Sequence, residues 1–255
     1  MLEKFEGIVL FIKPYREKDA LVKIFTKEFG TKMFFIKNYH GSPNHKLKKY
    51  LRPLSKNSYI GKINSVGFSF ISEAESIANH ATIQYQYDKY VYATYMSQLF
   101  DASIEDNVPN EKLYQFFDDI LNRIEDGISV EILTIYVEIY LLHQYGIQLN
   151  WHDCQVCHQV HEPFDMSLVK GGLICHQHFL EDPYRLKIDP KAMHIAYLLA
   201  NIKLSQMGDV KVSKSTMKEL RRLMDEIYKE YVGINLKAKS FIYKMQAFED
   251  SLEIQ

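Results

Sequence analysis

Along the first 76 residues, apolar side chains come in short runs with the two-residue period of strands. "FEGIVLFIK" (5–13) is rich in β-branched and aromatic residues. Its apolar positions fall on both faces, which predicts a strand covered on both sides. "ALVKIFTKEFGTKMFFIKNY" (20–39) is two such runs joined at Glu28-Phe29-Gly30, a hairpin signal with glycine at the turn. "HGSPNHKLKKYLRPLSKN" (40–57) is polar and basic and holds two prolines, so it predicts a loop with at most one short helical turn. "SYIGKINSVGFSFISEAES" (58–76) reads as two more strands, with Gly61 and Gly67 as bulge or bend positions. About five short strands in this space predict a small barrel, and the OB-fold is the commonest such barrel that handles nucleic acid.

Near residue 80 the apolar period lengthens to that of a helix. Helices are predicted over 80–103, Asn110–Asp126, Ser129–Tyr145, Pro190–Met207, Ser215–Val232 and Leu236–Asp250. Gly146 and Gly233 serve as C-terminal stops. Five tyrosines between Tyr85 and Tyr95 read as core and core-edge packing at this spacing, against the alternative of a base-stacking platform. The expected fold class is α+β. An OB-fold β-barrel spans residues 1–78, and an α-helical domain spans 79–255 with an embedded zinc finger at about 150–180.

That insert holds all three cysteines of the chain. Cys154-x2-Cys157 and, after 17 intervening residues, Cys175-x2-His178 form two knuckles of equal spacing. Together they offer four soft ligands, which suits one structural Zn²⁺ with a closed tetrahedral shell. Gly171-Gly172 precedes the second knuckle, and "EPFDMSLVKGGLI" reads as a short β-hairpin. His176 and His158 flank the knuckles and stand as alternatives to His178. Three other readings compete. A redox Cys-x-x-Cys belongs at a helix start after a strand, which the pattern does not provide. Unmetallated buried thiols are a second. A catalytic zinc is a third, but H-E-x-x-H is missing, and so is the H-x-E that pairs with P-C-x-x-C.

Composition narrows the classes further. The chain has 255 residues, is 47% hydrophobic and 13% aromatic, and no apolar run approaches the ~20 residues that span a bilayer. Few cysteines and a charged, uncleavable amino terminus predict a cytoplasmic protein. No phosphate loop, dinucleotide fingerprint or nucleophile elbow is present, so no enzymatic activity is expected.

The formal net charge of −1 conceals segregation. Residues 1–62 hold 14 Lys/Arg against 5 Asp/Glu; residues 63–150 hold 3 against 13. A basic block of this kind suits an anionic polymer, and the competing account is pairing of the two blocks within the fold. The cations interleave with aromatics, as single-stranded nucleic acid requires: phosphates take Lys and Arg, and bases stack on rings. The expected contacts are Arg16, Lys37, Tyr39, Lys46, Lys48, Lys49 and Arg52. The loop members Lys46 to Arg52 rank first because the loop offers nothing apolar to bury.

Several of these stretches together resemble the bacterial RecO recombination mediators. The resemblance begins in "GIVLFIKPYREKDALVKIFTKEFGTKMFFIKN", with Tyr15, Glu17 and Asp19 in a turn and Phe25, Thr26 and Gly30 in a hairpin. It resumes at "LLHQYGIQLNWHDCQVC" and continues through "FDMSLVKGGLIC" and "GINLKAKS". It implies an OB-fold, a helical bundle and a zinc finger. It also implies a nucleoid-associated protein that binds single- and double-stranded DNA and anneals complementary strands. The partners implied are RecR and single-strand DNA-binding protein, and through them RecA. Two departures stand out. The family's small-residue basic run after the third strand is displaced here to Lys46–Arg52, and His178 stands where a fourth cysteine is usual. The rival expectation is a zinc-containing protein-interaction subunit of a transcription or RNA-binding assembly.

Overall fold

A computed structural model describes residues 1–42 and 45–253. Pro43 and Asn44 of the predicted loop lie outside the described residues. By internal contacts the chain forms two compact units, Met1–Gly127 with Leu236–Gln255, and Ile128–Asn235.

The first unit opens with five antiparallel strands: β1 (Glu3–Tyr15), β2 (Asp19–Thr26), β3 (Gly30–Ile36), β4 (Lys56–Lys62) and β5 (Phe70–Ala78). Their order in the sheet is β3-β2-β1-β4-β5. The sheet is OB-like rather than a fully closed barrel. The edges approach at a parallel bridge between Phe34 and Ser69, where Phe35 N donates to Ser69 O at 2.9 Å and Ser69 N to Met33 O at 2.9 Å. The inner face is packed with Phe5, Val9, Val22, Ile24, Phe34 and Tyr59. Phe5 stacks on Phe34 and on Tyr59, each at 5.5 Å between ring centroids.

The expected double-sided apolarity of β1 has a structural cause. Phe5 and Val9 line the inner core, while Ile8 and Leu10 are buried on the other side. There Ser97 Oγ of helix α2 (Tyr87–Ser103) donates to Leu10 O at 3.5 Å. The two glycines marked in 58–76 do different work. Gly61 sits at a register shift, where a Cβ would lie 2.2 Å from Phe70 O, and Gly67 bends the β4–β5 loop with φ +80°.

The single helix expected over 80–103 is two helices. Helix α1 (Ala81–Tyr85) ends at Gln86, whose backbone is extended, before α2 begins. The break follows from an anchoring carboxylate. Glu125 accepts from Thr82 N at 3.1 Å and Ile83 N at 2.9 Å, which fixes the start of α1 independently of α2. Of the five tyrosines, Tyr92 and Tyr95 are buried, whereas Tyr85 and Tyr87 are exposed. Helix α3 (Glu111–Glu125) starts at Asn110, whose side chain accepts from Leu113 N at 3.0 Å.

The second unit holds α4 (Val130–Leu142), a hairpin of β6 (Phe164–Ser167) and β7 (Gly172–Cys175), α5 (Pro190–Asn201) and α6 (Lys214–Ile227). Ser129, Asp189 and Ser213 cap the three helices through side-chain oxygens. A π-helical turn, Tyr228–Val232, follows α6 and ends at Gly233 with φ +67°. The chain then re-enters the first unit as α7 (Lys237–Glu253). Among the described residues no helix is long and apolar enough to cross a membrane.

Candidate metal centre and nucleic-acid surface

The candidate metal centre is assembled by the β6–β7 hairpin and the segment before it. Gly171 takes the positive φ of +71° that the turn requires. Gly172 lets β7 pass close to Asn150; a Cβ there would lie 2.7 Å from Asn150 O. Asn150 N donates to Gly171 O and Leu173 N to Asn150 O, each at 3.0 Å. These bonds hold the first knuckle beside the second. Cys175 ends β7, and the 3-10 turn His176–Glu181 carries His178 back over it.

As a result, the ligand atoms of Cys154, Cys157, Cys175 and His178 all lie within 4.8 Å of one another, a group that can hold a metal ion. The separations are 3.9 Å for Cys157 Sγ to Cys175 Sγ, 3.7 Å for Cys154 Sγ to His178 Nδ1, and 3.2 Å for Cys175 Sγ to the same nitrogen. His178 joins the cysteines. His176 is exposed at the start of the same turn, and the His158 ring faces Asp153 at 3.8 Å.

The electrostatics favour thiolate at one ligand. Burial opposes ionisation of Cys154, but backbone N–H groups of Cys157, Cys175 and Val156 point at its sulfur and bring its pKa down to about 6. The Cys175 N–H lies 3.3 Å from that sulfur and the Val156 N–H 3.4 Å. Burial and the neighbouring sulfurs of Cys154 and Cys157 push the Cys175 thiol up. The amide donors to Cys154 could not be found from spacing, because backbone groups leave no mark in residue identity.

The basic block is partly neutralised at home. Lys23 pairs with Asp101 at 2.6 Å and Asp106 at 2.9 Å, Lys27 with Glu111 at 3.2 Å, and Lys56 with Asp118 at 2.7 Å. Pairing between the basic and acidic blocks is therefore real. It involves Lys23 and Lys56 on strands and Lys27 in the β2–β3 turn, which meet acids of α2, α3 and the segment between them. Among the described residues, Arg16, Lys37, Lys46, Lys48, Lys49 and Arg52 form none of these ion pairs.

The loop carrying Lys46 to Arg52 is not an apolar-free segment, which corrects the reason for ranking it first. It forms a 3-10 turn, Lys48–Tyr50, and buries Leu47, Leu51 and Leu54 completely or nearly so. Leu47 and Leu51 lie four residues apart and point into the sheet's inner core. That spacing turns Lys46, Lys49 and Arg52 outward, where they are exposed. Lys46 Nζ donates to Ser72 O at 2.9 Å. Lys48 Nζ stands 5.4 Å from the Tyr39 ring centroid, and Lys49 Nζ 4.6 Å from that of Tyr50. Tyr39 is half-buried, and burial raises its pKa despite the charge of Arg52. Arg16 is elsewhere, on the β1–β2 turn with φ +54°, and Lys37 directly follows β3. Thus Tyr39, Lys48, Lys49 and Arg52 share one region, while Arg16 belongs to another.

An OB-like sheet, helices and a Cys3His cluster that can hold a metal ion define an α+β protein. The chain belongs to the RecO family of DNA repair proteins. Residues 1–80 match Recombination protein O N terminal, and residues 84–240 match Recombination protein O C terminal. The chain is 36% identical to the DNA repair protein RecO of Streptococcus equi subsp. zooepidemicus, over 99% of this chain and 97% of that protein. Identity to the RecO of Streptococcus agalactiae serotype Ia is 39%, over 92% of each chain. With the RecO of Enterococcus faecalis it is 36%, over 99% and 96%.

Proposed function

We propose that this chain is a non-enzymatic mediator of DNA repair in the bacterial cytoplasm, at the nucleoid. In this reading it binds single- and double-stranded DNA and anneals complementary strands. With RecR and single-strand DNA-binding protein it helps place RecA on coated single strands. The observation that carries the reading is the family match over residues 1–80 and 84–240, which spans both units. The exposed cations of the 46–52 turn support a phosphate-binding role, since they stand clear of the ion pairs that engage Lys23, Lys27 and Lys56. Two polyanionic strands repel each other; cations between them reduce that repulsion and raise the local concentration of each strand for the other.

The metal of this reading is one structural Zn²⁺ on Cys154, Cys157, Cys175 and His178. A tetrahedron with Zn–S near 2.3 Å and Zn–N near 2.0 Å has edges of roughly 3.5–3.8 Å. The separations of 3.9, 3.7 and 3.2 Å are of that size. Bound there, the ion supplies cross-linking of the two knuckles and no open coordination position.

The reading is tested by mixing complementary oligonucleotides coated with single-strand DNA-binding protein, adding this protein and withholding nucleotide. Duplex should form at a rate that depends on this protein. Annealing that requires ATP hydrolysis by this chain alone would overturn the non-enzymatic mechanism.

A further inference from the structure

Three sulfurs held close together are a redox group as well as a ligand set. Cys154, Cys157 and Cys175 supply every sulfur of the cluster, since the fourth ligand is His178. Oxidation within the cluster can therefore make one bridge and leaves one thiol over. Access and position select which pair is joined.

Access selects the first partner. Cys154 and Cys175 are fully buried, whereas Cys157 is half-buried. His158, Gln159, Val160 and His161, which follow Cys157 directly, are all exposed. A small oxidant arriving from solvent meets Cys157 before the other two, and exposure is one of the two properties that govern thiol oxidation.

Position selects the second partner. Cys175 Sγ lies 3.9 Å from Cys157 Sγ, so a movement of about 2 Å brings the two to bonding distance. Cys154 Sγ is held in place by the N–H groups of Cys175 at 3.3 Å and Val156 at 3.4 Å. A bridge from Cys157 to Cys154 would lie within one knuckle and disturb those two contacts. A bridge to Cys175 spans 18 positions of sequence and joins the two knuckles, as a shared metal does.

We propose, on the zinc reading given above, that Cys157 is a peroxide-reactive residue resolved by Cys175, and that their disulfide expels zinc and takes over its cross-link. The Cys157 sulfur attacks one oxygen of a hydroperoxide. The O–O bond breaks, Cys157 becomes a sulfenic acid, and the remainder leaves as an alcohol, or as water when the oxidant is hydrogen peroxide. The Cys175 sulfur then attacks the Cys157 sulfur; the S–S bond forms, the S–O bond breaks, and the oxygen departs as water. The two thiolates lose two electrons, the peroxide gains them, and two protons come from solvent. Cys154 and His178 remain, too few for a closed tetrahedral shell. The hairpin stays tied to the first knuckle by a covalent bond in place of the metal.

The experiment loads the full-length protein with zinc, adds hydrogen peroxide, and follows a zinc-binding dye, the free-thiol count and the masses of alkylated peptides. About one zinc per chain should be released, and the free thiols should fall from the chain's three to a single one, at Cys154. Dithiothreitol with added zinc should restore both readings. The oxidised, zinc-free chain should melt roughly 5–10 °C above the reduced chain stripped by a chelator, because the bridge restricts only the former when unfolded. Cys154→Ser retains both reacting sulfurs, and peroxide should form the same bridge in it whether or not it holds zinc. Zinc retained with all three thiols intact overturns the proposal. So does a bridge from Cys154 to Cys157, a bridge between two chains, or Cys157 carried on to a sulfinic acid beside a free Cys175; each of these leaves the zinc reading standing. If the reduced protein binds no zinc, the zinc reading fails and the exchange fails with it.

Discussion

At the scale of single residues, the metal site turns on which side chains can put a donor atom into one small volume. Cys157 contributes a sulfur 3.9 Å from Cys175, and His178 a nitrogen 3.2 Å from the same atom. Metal-binding energy at such a site is folding energy. Cys157→Ser should therefore release bound zinc, read by elemental analysis, and lower the thermal midpoint by roughly 10 °C or more. His178→Ala should behave similarly, while His176→Ala should keep its zinc, because His176 is exposed and outside the cluster. Zinc loss in the His176 variant with retention in the His178 variant would reverse the ligand assignment. The knuckle spacing named the cysteines directly. It left three histidines open, since neighbours on a turn differ only in direction, and the 3-10 path after Cys175 decides which one returns.

At the scale of elements, two buried contacts carry separate consequences. The 46–52 turn is anchored by Leu51, which is fully buried in the inner core of the sheet. Leu51→Ala should cost about 2–5 kcal/mol, measured by urea unfolding of the whole chain. A change below about 1 kcal/mol would mean that the turn is a loose cover. On the other unit, Arg221 of α6 meets Glu138 of α4 at 3.2 Å, both buried, and donates to Glu131 O at 3.1 Å. Arg221→Ala leaves a buried carboxylate without its cation and should cost about 3–5 kcal/mol. Loss of the pair by Glu138→Gln with Arg221→Met together should cost less than Arg221→Ala alone, a comparison read from the same unfolding curves.

At the scale of the whole molecule, the question is where charge is available to a polyanion. Near-neutral composition says little, because Lys23, Lys27 and Lys56 are held by acidic residues of the helices. Lys48, Lys49 and Arg52 are outside those pairs. Each phosphate contact on a single strand contributes about 0.7 to the slope of log K against log salt. Replacing all three with alanine should weaken binding alike for every sequence and flatten the slope by about 2. Helix signal and zinc content should stay at wild-type level, because the apolar anchors Leu47 and Leu51 remain. An unchanged slope would remove this turn from the DNA surface and shift attention to Arg16 and Lys37.

Sequence by itself determined the order and kind of the elements. Apolar period is a local property, and caps such as Asn110, Ser129 and Asp189, with stops such as Gly146 and Gly233, are written at the residues that use them. It also determined the three cysteine ligands, because a tight turn ties ligand position to spacing, and left the choice of histidine to the fold. Tertiary structure alone decided the break at Gln86, which depends on Glu125 some forty residues away, and the open edges of the sheet. It alone separated paired from unpaired cations, since Lys23 and Lys49 look alike until helices cover one and not the other. The difference among the sulfurs was hidden for the same reason. Cys154, Cys157 and Cys175 are alike in sequence, and only the fold covers two of them fully and leaves Cys157 half-buried.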